Sequence, residues 1–400
     1  MEVQNLSAMA HFVCEKHGRK GEVFDIIAVR GTFDLVANAP AKAAAQQLPV
    51  CLADTYYGEP ESSSLQAESD LAIIKPATDI VMVGHARAPG GIAQRDWVVG
   101  LRIGPQTKGV RVTGPRQWQR GITGWSLSKP EPATQVRLQY ELAYGGRYDK
   151  LAHKDPANLP PKKSSPAANS PAEAATHTPE WVQHPHNPAG RGLVGDYALK
   201  HAKVIPAPQI EATDDPIQDF NGKYSPQGFG PIARWWQPRI GYVGTYDDAW
   251  RKDHYPDLPT DFDFMFHNSA TPDLVWRGGS PKGQPTYLQG NEPFGLLGVL
   301  AEGRLDGTLP GITLHCEIVD FAGQHRSLKP VLDTVVFDTD ARTVSLVWRV
   351  TLRREWRIMG ALLHHEAAMQ NSPVDFVGNA SRTTSTKMVN SPRELAHGHS

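Results

Sequence analysis

Two short segments place carboxylates beside aromatic side chains, a combination found in sugar-processing sites. They are residues 246–250 (YDDAW) and residues 260–264 (TDFDF). A glycosidase needs two carboxyl groups across a cleft, and one of them must have a raised pKa. A structural role demands less, because Asp247 can cap a short helix and Asp261 can close a turn after Pro259. We favour the structural interpretation of both segments.

Sixteen histidines make a metal site the second chemistry to consider. His184 and His186 flank a proline, and His364, His365 and Glu366 are consecutive. A catalytic zinc ion needs about three protein ligands on a rigid frame. The first pair borders a segment that we expect to be flexible, and the second group lies near the C-terminus. We therefore interpret these side chains as solvated histidines and expect no metal site.

Nucleotide-binding and hydrolase motifs are missing from the sequence. It contains neither a Gly-x-x-x-x-Gly-Lys-Ser/Thr phosphate loop nor a Gly-x-Ser-x-Gly elbow. Residues 228–233 (GFGPIA) superficially resemble a dinucleotide loop, but Pro231 follows the second glycine and no convincing strand precedes it. The sequence therefore indicates no catalytic residue and no cofactor.

The two aromatic segments are expected to pack against each other as a clamp. A short helix starting at Asp247 would project Tyr246 and Trp250, four residues apart, to one side. Prolines between the segments would turn the chain back toward that helix. We predict that Trp250 is buried against Phe262 or Phe264. An exposed Trp250 beside other aromatic side chains would instead indicate an anchor for a binding partner.

The elements that must position these residues are mostly strands. Alternating or continuous apolar runs are typical of strands, and they occur at residues 23–35, 71–74, 80–83, 97–103, 110–112, 136–144, 312–318 and 344–350. The content of Gly (36) and Pro (33) also favours many short strands and turns. We predict a mainly β fold of antiparallel sandwich- or barrel-like sheets with few short helices. The helix candidates are residues 247–253 and 354–369.

Two polar segments carry too few large apolar residues to offset their ordering entropy. They are residues 152–179 and the tail after Val377. We therefore predict an N-terminal segment (1–19), a main domain (20–365) with a long mobile insertion at about 152–179, and a disordered C-terminal tail (366–400).

Composition excludes several classes of protein. Lys plus Arg total 41 and Asp plus Glu total 42, so the net charge of −1 provides no basic field for nucleic acid or anionic lipid. The first 20 residues lack the apolar run of a signal peptide, and no segment approaches the length of a membrane span. Three widely spaced cysteines do not suggest disulfides or a zinc knuckle. We expect a cytoplasmic protein.

Residues 75–91 (KPATDIVMVGHARAPGG) combine an apolar core with two turn-forming ends. We interpret them as a turn at 76–79, a strand at 80–83 that is buried on both faces, and an exit turn at 88–91. Together these would form a scaffold hairpin element. The stretch contains no nucleophile beside a base, so we expect no catalytic role.

This stretch opens an ordered series of motifs, each weak alone. The others are residues 95–97 (RDW), 140–146 (YELAYGG), 187–192 (NPAGRG), 226–231 (PQGFGP), 244–247 (GTYD), Trp250, 259–263 (PTDFD) and 332–340 (LDTVVFDTD). In number and order they resemble the bacterial family called domain of unknown function 2169, over roughly residues 20–352. The long insertion at 152–179 is the main departure from the pattern of that family.

The resemblance implies a non-enzymatic adaptor or chaperone of type VI secretion. Such an adaptor would bind a toxic effector, often through a PAAR-like region, and help to load it onto the VgrG spike. No cofactor, nucleic acid or membrane insertion is implied. The candidate structural or client-binding residues are Lys75, Asp79, Trp97, Tyr140, Arg191, Phe229, Tyr246, Asp247, Trp250, Asp261, Phe262 and Asp263.

Two other functions remain open on the sequence. The histidine and Asp–aromatic clusters allow a metal-dependent or glycan-cleaving hydrolase. The same aromatic side chains also allow a carbohydrate-binding module, which would bind without turnover.

Overall fold

The computed structural model describes residues 1–158, 178–276, 278 and 286–365. In these residues the chain is mainly β, as the sequence predicts, with several antiparallel sheets and two short helices. The strands, in chain order, are β1 (Glu2–Asn5), β2 (Ala10–His17), β3 (Val23–Asp34), β4 (Lys42–Ala43), β5 (Thr55–Tyr56), β6 (Leu65–Ala67), β7 (Asp79–Val83), β8 (His85–Arg87), β9 (Asp96–Ile103), β10 (Gln106–Thr113), β11 (Gln117–Gly121), β12 (Gly124–Leu127), β13 (Gln135–Arg137), β14 (Tyr144–Gly145), β15 (Arg147–Asp149), β16 (Trp181–Gln183), β17 (Arg191–Gly192), β18 (Val204–Pro206), β19 (Ile210–Glu211), β20 (Pro293–Leu297), β21 (Arg304–Thr308), β22 (Leu314–Asp320), β23 (His325–Leu328), β24 (Val331–Asp338), β25 (Thr343–Arg353) and β26 (Ile358–His365).

The helices are short. The α-helices are α1 (Asp196–His201) and α2 (Asp248–Asp253), and the 3-10 turns are Pro89–Gly91, Tyr140–Leu142, Ala152–Lys154, Pro156–Asn158, Arg239–Tyr242, Phe264–His267 and Arg354–Trp356. The predicted helix at 247–253 is confirmed as α2, with Asp247 as its N-cap. Of the predicted insertion, residues 159–177 lie outside the described residues, and so does the predicted tail.

A six-stranded sheet forms the centre of the fold. Its order is β2-β3-β25-β24-β7, and β4 pairs with the end of β3. Strand β7 runs parallel to β24, with Ile80 opposite Val335, while the other neighbours are antiparallel. Both faces of the central strands are covered, so β25 is buried at nearly every position. This explains why its sequence is a continuous apolar run rather than an alternating one.

A five-stranded sheet packs against the central sheet. Its order is β19-β10-β9-β20-β21. The ring of Phe294 on β20 meets the ring of Phe337 on β24 with centroids 5.1 Å apart. Both side chains are fully buried in one hydrophobic core that also takes in the inward faces of β7 and β9. This sheet-on-sheet packing is the body to which the surface segments are attached.

The predicted helix at 354–369 is wrong for the residues described. After a single 3-10 turn, residues 358–365 form β26, which pairs with β22 and, in parallel, with β1. The resulting sheet has the order β1-β26-β22-β23. Backbone pairing on both sides of β26 overrides its local propensity for helix.

The predicted strand at 71–74 is absent because the carbonyl oxygens in and beside this segment accept hydrogen bonds from side chains rather than from a neighbouring strand. Arg349 donates to the carbonyl oxygens of Asp70 (2.6 Å) and Ala72 (2.9 Å), and Thr351 donates to that of Ile73 (2.6 Å). The apolar run is real, since Ile73 and Ile74 are buried beneath β3. The segment is held by β25 side chains without becoming a strand.

The predicted strand at 136–144 is only partly correct. Strand β13 ends at Arg137, and a 3-10 turn follows at Tyr140–Leu142. Tyr140 and Leu142 are buried, while Glu141 between them accepts hydrogen bonds from Ser64 N and Oγ, both at 2.6 Å. Alternating burial therefore arises here from a turn with an anchored carboxylate.

The stretch at 75–91 is not a hairpin, although its central strand is buried as predicted. Ile80, Val81 and Met82 are at most 4% exposed. However, β7 pairs with β24, and β8 pairs with β13, so the two strands of the stretch do not pair with each other. Gly84, with φ of +108°, lies between them.

Candidate interaction surface

The sequence-predicted residues separate into a buried group and a surface group. Lys75 and Asp79 form a buried ion pair in which Lys75 Nζ lies 2.8 Å from Asp79 Oδ2. Lys75 Nζ also donates to Glu68 Oε2 (3.3 Å) and Thr334 Oγ1 (3.1 Å). Burial lowers the pKa of Lys75, but Asp79 and Glu68 outweigh it and hold the pKa above the ordinary value. The ammonium group therefore stays charged inside the fold.

Asp79 ties a distant loop to strand β7. Its carboxylate accepts hydrogen bonds from Asn268 Nδ2 (2.9 Å), Ser269 N (2.8 Å) and Ala270 N (3.2 Å). With Lys75 also donating, every lone pair of the carboxylate has a donor. A buried charge is tolerated only when it is satisfied in this way. The Lys-Pro-x-Thr-Asp motif is thus a structural anchor.

Further ion pairs extend this buried network. Arg349 on β25 pairs with Asp333 on β24, and both side chains are at most 1% exposed. Arg239 pairs with Glu68, whose carboxylate also lies 3.3 Å from Lys75. Burial raises the pKa of Glu68, but Lys75 and the neighbouring arginines outweigh it and hold the pKa below the ordinary value. Since each charge has a partner, the network indicates fold maintenance.

Trp97, Tyr140 and Phe229 also belong to the interior. Trp97 Nε1 donates to the carbonyl of Gly298 (3.2 Å), and the Phe229 carbonyl accepts from Met82 N (3.0 Å). The Tyr140 ring packs so closely that a Cβ on Gly228 would lie 2.6 Å from it. Gly228 therefore makes room for the Tyr140 ring.

Arg191 lies at the margin of the buried group. It begins β17, which runs parallel to β14, and its backbone N donates to the Ala143 carbonyl at 2.9 Å. Its side chain is half-buried, and burial lowers its pKa from the ordinary value. This position indicates a role in fixing the loop beside β14.

The surface group is centred on helix α2. Asp247 Oδ1 accepts from Trp250 N at 2.8 Å, which confirms the predicted N-cap. Asp263 caps the next 3-10 turn in the same way, accepting from Met265 N at 2.8 Å. Asp261 accepts from Thr245 N (3.0 Å) and Thr245 Oγ1 (2.8 Å). Three carboxylates of the two aromatic segments are therefore engaged in backbone structure.

The pKa of Asp261 is shifted in the direction opposite to the one that a catalytic acid requires. The hydrogen bonds from the backbone and side chain of Thr245 lower its pKa from the ordinary value. A glycosidase acid needs a raised pKa at neutral pH. The carboxylates of this region are thus arranged as caps and turn anchors.

The predicted clamp exists, but its partners differ from the prediction. The two segments meet through Asp261 and Thr245, and a Cβ on Gly244 would lie 2.8 Å from Asp261 Oδ1. The prediction that Trp250 is buried against Phe262 or Phe264 is wrong. Phe262 turns inward and is 3% exposed, with its ring contacting Phe264 at 5.6 Å. Trp250 remains half-buried.

Trp250 instead belongs to a surface cluster, here called the aromatic patch, formed by Tyr246, Trp250 and Tyr255. The Trp250 ring centroid lies 4.5 Å from that of Tyr246 and 5.9 Å from that of Tyr255, both edge to face. Tyr246 is 46% exposed and Tyr255 is 71% exposed. Large aromatic side chains with one polar end are typical of interaction surfaces.

The aromatic patch is fixed to the end of strand β2 through Asp257. Trp250 Nε1 donates to the Asp257 carbonyl at 2.9 Å. The Asp257 carboxylate lies 3.3 Å from His17 Nδ1 and accepts from Gly21 N at 2.5 Å. His17 ends β2, so the patch is linked through Asp257 to the end of that strand.

Strand β2 is an open edge of the central sheet. It pairs with β3 from Ala10↔Arg30 to His17↔Val23, and no strand in the described part of the chain lies on its other side. Its eight residues are all exposed or intermediate, and Phe12 is 37% exposed. An unpaired strand edge offers backbone donors and acceptors to an extended segment of another chain.

The histidine pairs show no metal-binding geometry. His184 and His186 have ring centroids 6.0 Å apart, and burial lowers the pKa of His184. His364 stacks on His315 at 5.4 Å and is 7% exposed, so the solvated interpretation is wrong for His364. Glu366 lies outside the described residues. Across residues 1–158, 178–276, 278 and 286–365, no group of three or more His, Cys, Asp or Glu side chains could hold a metal ion.

Sequence reasoning missed two parts of this surface. Strand β2 (AHFVCEKH) lacks a regular apolar alternation, because one of its edges and much of its surface face solvent. Tyr255 stands outside the two aromatic segments, so the spacing within those segments does not identify it. The buried Arg349–Asp333 pair was also not anticipated.

The described part of the chain is mainly β, and it has an open strand edge beside exposed aromatic side chains. Residues 21–349 match the family described as "Uncharacterized protein conserved in bacteria (DUF2169)", and the chain belongs to that family. No curated protein and no solved structure matches the chain. Within the part of the chain that the structure describes, no helix is long and apolar enough to cross a membrane.

Proposed function

We propose that this protein is a non-enzymatic adaptor of type VI secretion that acts in the bacterial cytoplasm. It binds an effector through the PAAR-like region of that effector and helps to load it onto the VgrG spike. The observation that carries the proposal is the aromatic patch joined to the open edge of β2. This arrangement suits a protein that holds an extended segment of a client before export.

The edge of β2 and the aromatic patch would contribute to the free energy of binding in different ways. The edge of β2 would pair with the backbone of the client, which gives affinity with little dependence on sequence. The aromatic patch would bury a client side chain, and aromatic anchors dominate the binding energy at most interfaces. Because Asp257 fixes the patch to the end of β2, both contacts would form with one segment.

The first prediction concerns Trp250. We expect Trp250→Ala to weaken binding to a PAAR-like effector of the host bacterium by about thirtyfold, the effect of losing a 2 kcal/mol anchor. Isothermal titration calorimetry with the purified effector measures this change. The fold should survive, because a half-buried Trp costs less than the roughly 3–5 kcal/mol of a fully buried one.

Trp181→Ala is the matched control, since Trp181 is 51% exposed and lies on β16, which contributes no residue to the patch. We expect wild-type affinity for this variant. Tyr255→Ala should reduce affinity in the same direction as Trp250→Ala, with an unchanged melting temperature. Unchanged affinity in both patch variants would contradict the proposed surface, and an effector that never binds the wild-type protein would contradict the adaptor function.

A further inference from the structure

The five-stranded sheet has a second open edge, on strand β10. Strand β10 spans eight residues, whereas its outer neighbour β19 spans two. The pairing covers only Arg111↔Glu211 and Val112↔Ile210. In the described part of the chain, no strand pairs with the first half of β10 on this side.

The backbone groups of Thr107 and Gly109 point toward this uncovered side. Thr113 N donates to the Gln209 carbonyl at 2.8 Å, so Thr113 directs its backbone groups toward β19. Alternate residues of an antiparallel strand direct their N–H and C=O groups to the same neighbour. Thr107 and Gly109 have the same parity as Thr113, and both are exposed. They present two N–H donors and two C=O acceptors beyond the end of β19.

A cavity occupies the place where β19 would continue. Its volume is about 520 Å³, and it is partly open to solvent. It is lined by the segment 106–109 of β10, by the loop 212–214 that follows β19, and by Gln227 and Asp273. We call this cavity the β10 slot.

The charged side chains that line the β10 slot have a net negative charge. Lys108 Nζ lies 2.8 Å from Asp273 Oδ2, so these two charges neutralise each other. Lys108 is 6% exposed at its side chain and also donates to Gln227 Oε1 at 3.3 Å. Asp214 lines the slot and is exposed, and Asp215 follows it. A basic side chain entering the slot would meet the carboxylate of Asp214.

We infer that the β10 slot binds a short extended segment of another polypeptide, which continues the line of β19 and carries a Lys or Arg side chain. The backbone of that segment pairs with Thr107 and Gly109. Its basic side chain lies against Asp214, on the acidic lip of the slot. The site shares no residue with the aromatic patch or β2, and the inference does not depend on the proposed adaptor function.

The test is a titration of the ¹⁵N-labelled full-length chain with an acetylated, amidated peptide, Thr-Val-Lys-Val-Thr, followed by amide NMR. We expect concentration-dependent shifts at Thr107, Gly109 and Thr213, with saturation. The same peptide with N-methylated backbone amides should not bind, because it lacks the donors that strand pairing needs. Equal binding of the methylated peptide, or no shift at these amides, would overturn the inference.

Two variants separate the backbone contact from the charge contact. Gly109→Pro removes one outward N–H at an edge position, where proline is tolerated, and should abolish binding. Asp214→Lys replaces an exposed side chain. It should lower the affinity for the lysine peptide by about two- to fivefold, the effect expected of an exposed ion pair. It should raise the affinity for a Thr-Val-Glu-Val-Thr peptide. Asp248→Lys on α2 is the matched control, and equal effects of the two Lys variants would overturn the charge assignment.

Discussion

At the scale of single residues, Asp79 is the point where three parts of the chain meet. Its buried carboxylate joins Lys75, the loop at 268–270 and the beginning of β7. Removing the charge of Asp79 takes one of the anionic partners from Lys75. It also weakens the acceptors of the backbone amides at 269 and 270. Breaking a buried pair in this way is far more costly than breaking one in solvent.

We therefore expect Asp79→Asn to lower the free energy of unfolding by about 3–5 kcal/mol. Chemical denaturation followed by tryptophan fluorescence measures the change. Asp248→Asn, which removes a 94%-exposed partner of Arg251, should cost about 1 kcal/mol or less. Similar losses in the two variants would show that the Lys75–Asp79 pair is not a structural anchor.

His267 is a second residue with a measurable consequence. The residue is half-buried, but its Nε2 atom is enclosed and has no hydrogen-bond partner. Burial lowers the pKa of His267 to about 3, although the nearby Glu68 acts in the opposite direction. The folded protein therefore holds a neutral imidazole over a pH range in which the unfolded chain takes up a proton.

The sign of the pH effect follows from this difference. Between the unfolded pKa of about 6.5 and the folded value, the unfolded state binds one more proton, so stability falls as pH falls. We expect the wild-type protein to lose about 2 kcal/mol more than His267→Phe between pH 7 and pH 5. Denaturation at both pH values measures this, with the exposed-site variant His153→Phe as control. Parallel pH profiles for wild type and His267→Phe would contradict the assignment.

At the scale of elements, the sequence predicts strands well where apolar runs coincide with strand pairing on both sides. The runs at 23–35, 97–103 and 344–350 lie in β3, β9 and β25. The run at 71–74 is equally apolar, yet Arg349 and Thr351 take its carbonyls. The pattern of apolar residues predicts which side chains are buried. Whether the buried segment forms a strand depends on the partner of its backbone hydrogen bonds, which is another strand in β3, β9 and β25 and side chains at 71–74.

The same distinction explains the candidate surface. The spacing of Tyr246 and Trp250 correctly predicts that their rings meet on one side of α2. It does not determine whether that side faces the core or solvent, because the direction depends on Asp261 and Thr245. Sequence alone also cannot show that β2 lies at a sheet edge, since edge position follows from long-range pairing.

At the scale of the whole molecule, two sheets pack against each other, and each has an open edge in the described part of the chain. Strand β2 ends the central sheet beside the aromatic patch, and β10 has an uncovered half in the facing sheet. Strand edges left open in this way are typical sites of pairing with other chains. Both sheets therefore keep an unpaired length of strand in the described part of the chain.

The most direct test of the adaptor proposal is hydrogen–deuterium exchange on the complex with the PAAR-like effector. We expect slower exchange in β2 (Ala10–His17) and around the aromatic patch at 246–255, because new backbone bonds and burial protect those amides. Strand β23 (His325–Leu328), an edge of another sheet, should exchange at the same rate in the complex as in the unbound protein. A stable complex in which β2 and the patch exchange as fast as in the free protein would contradict the account.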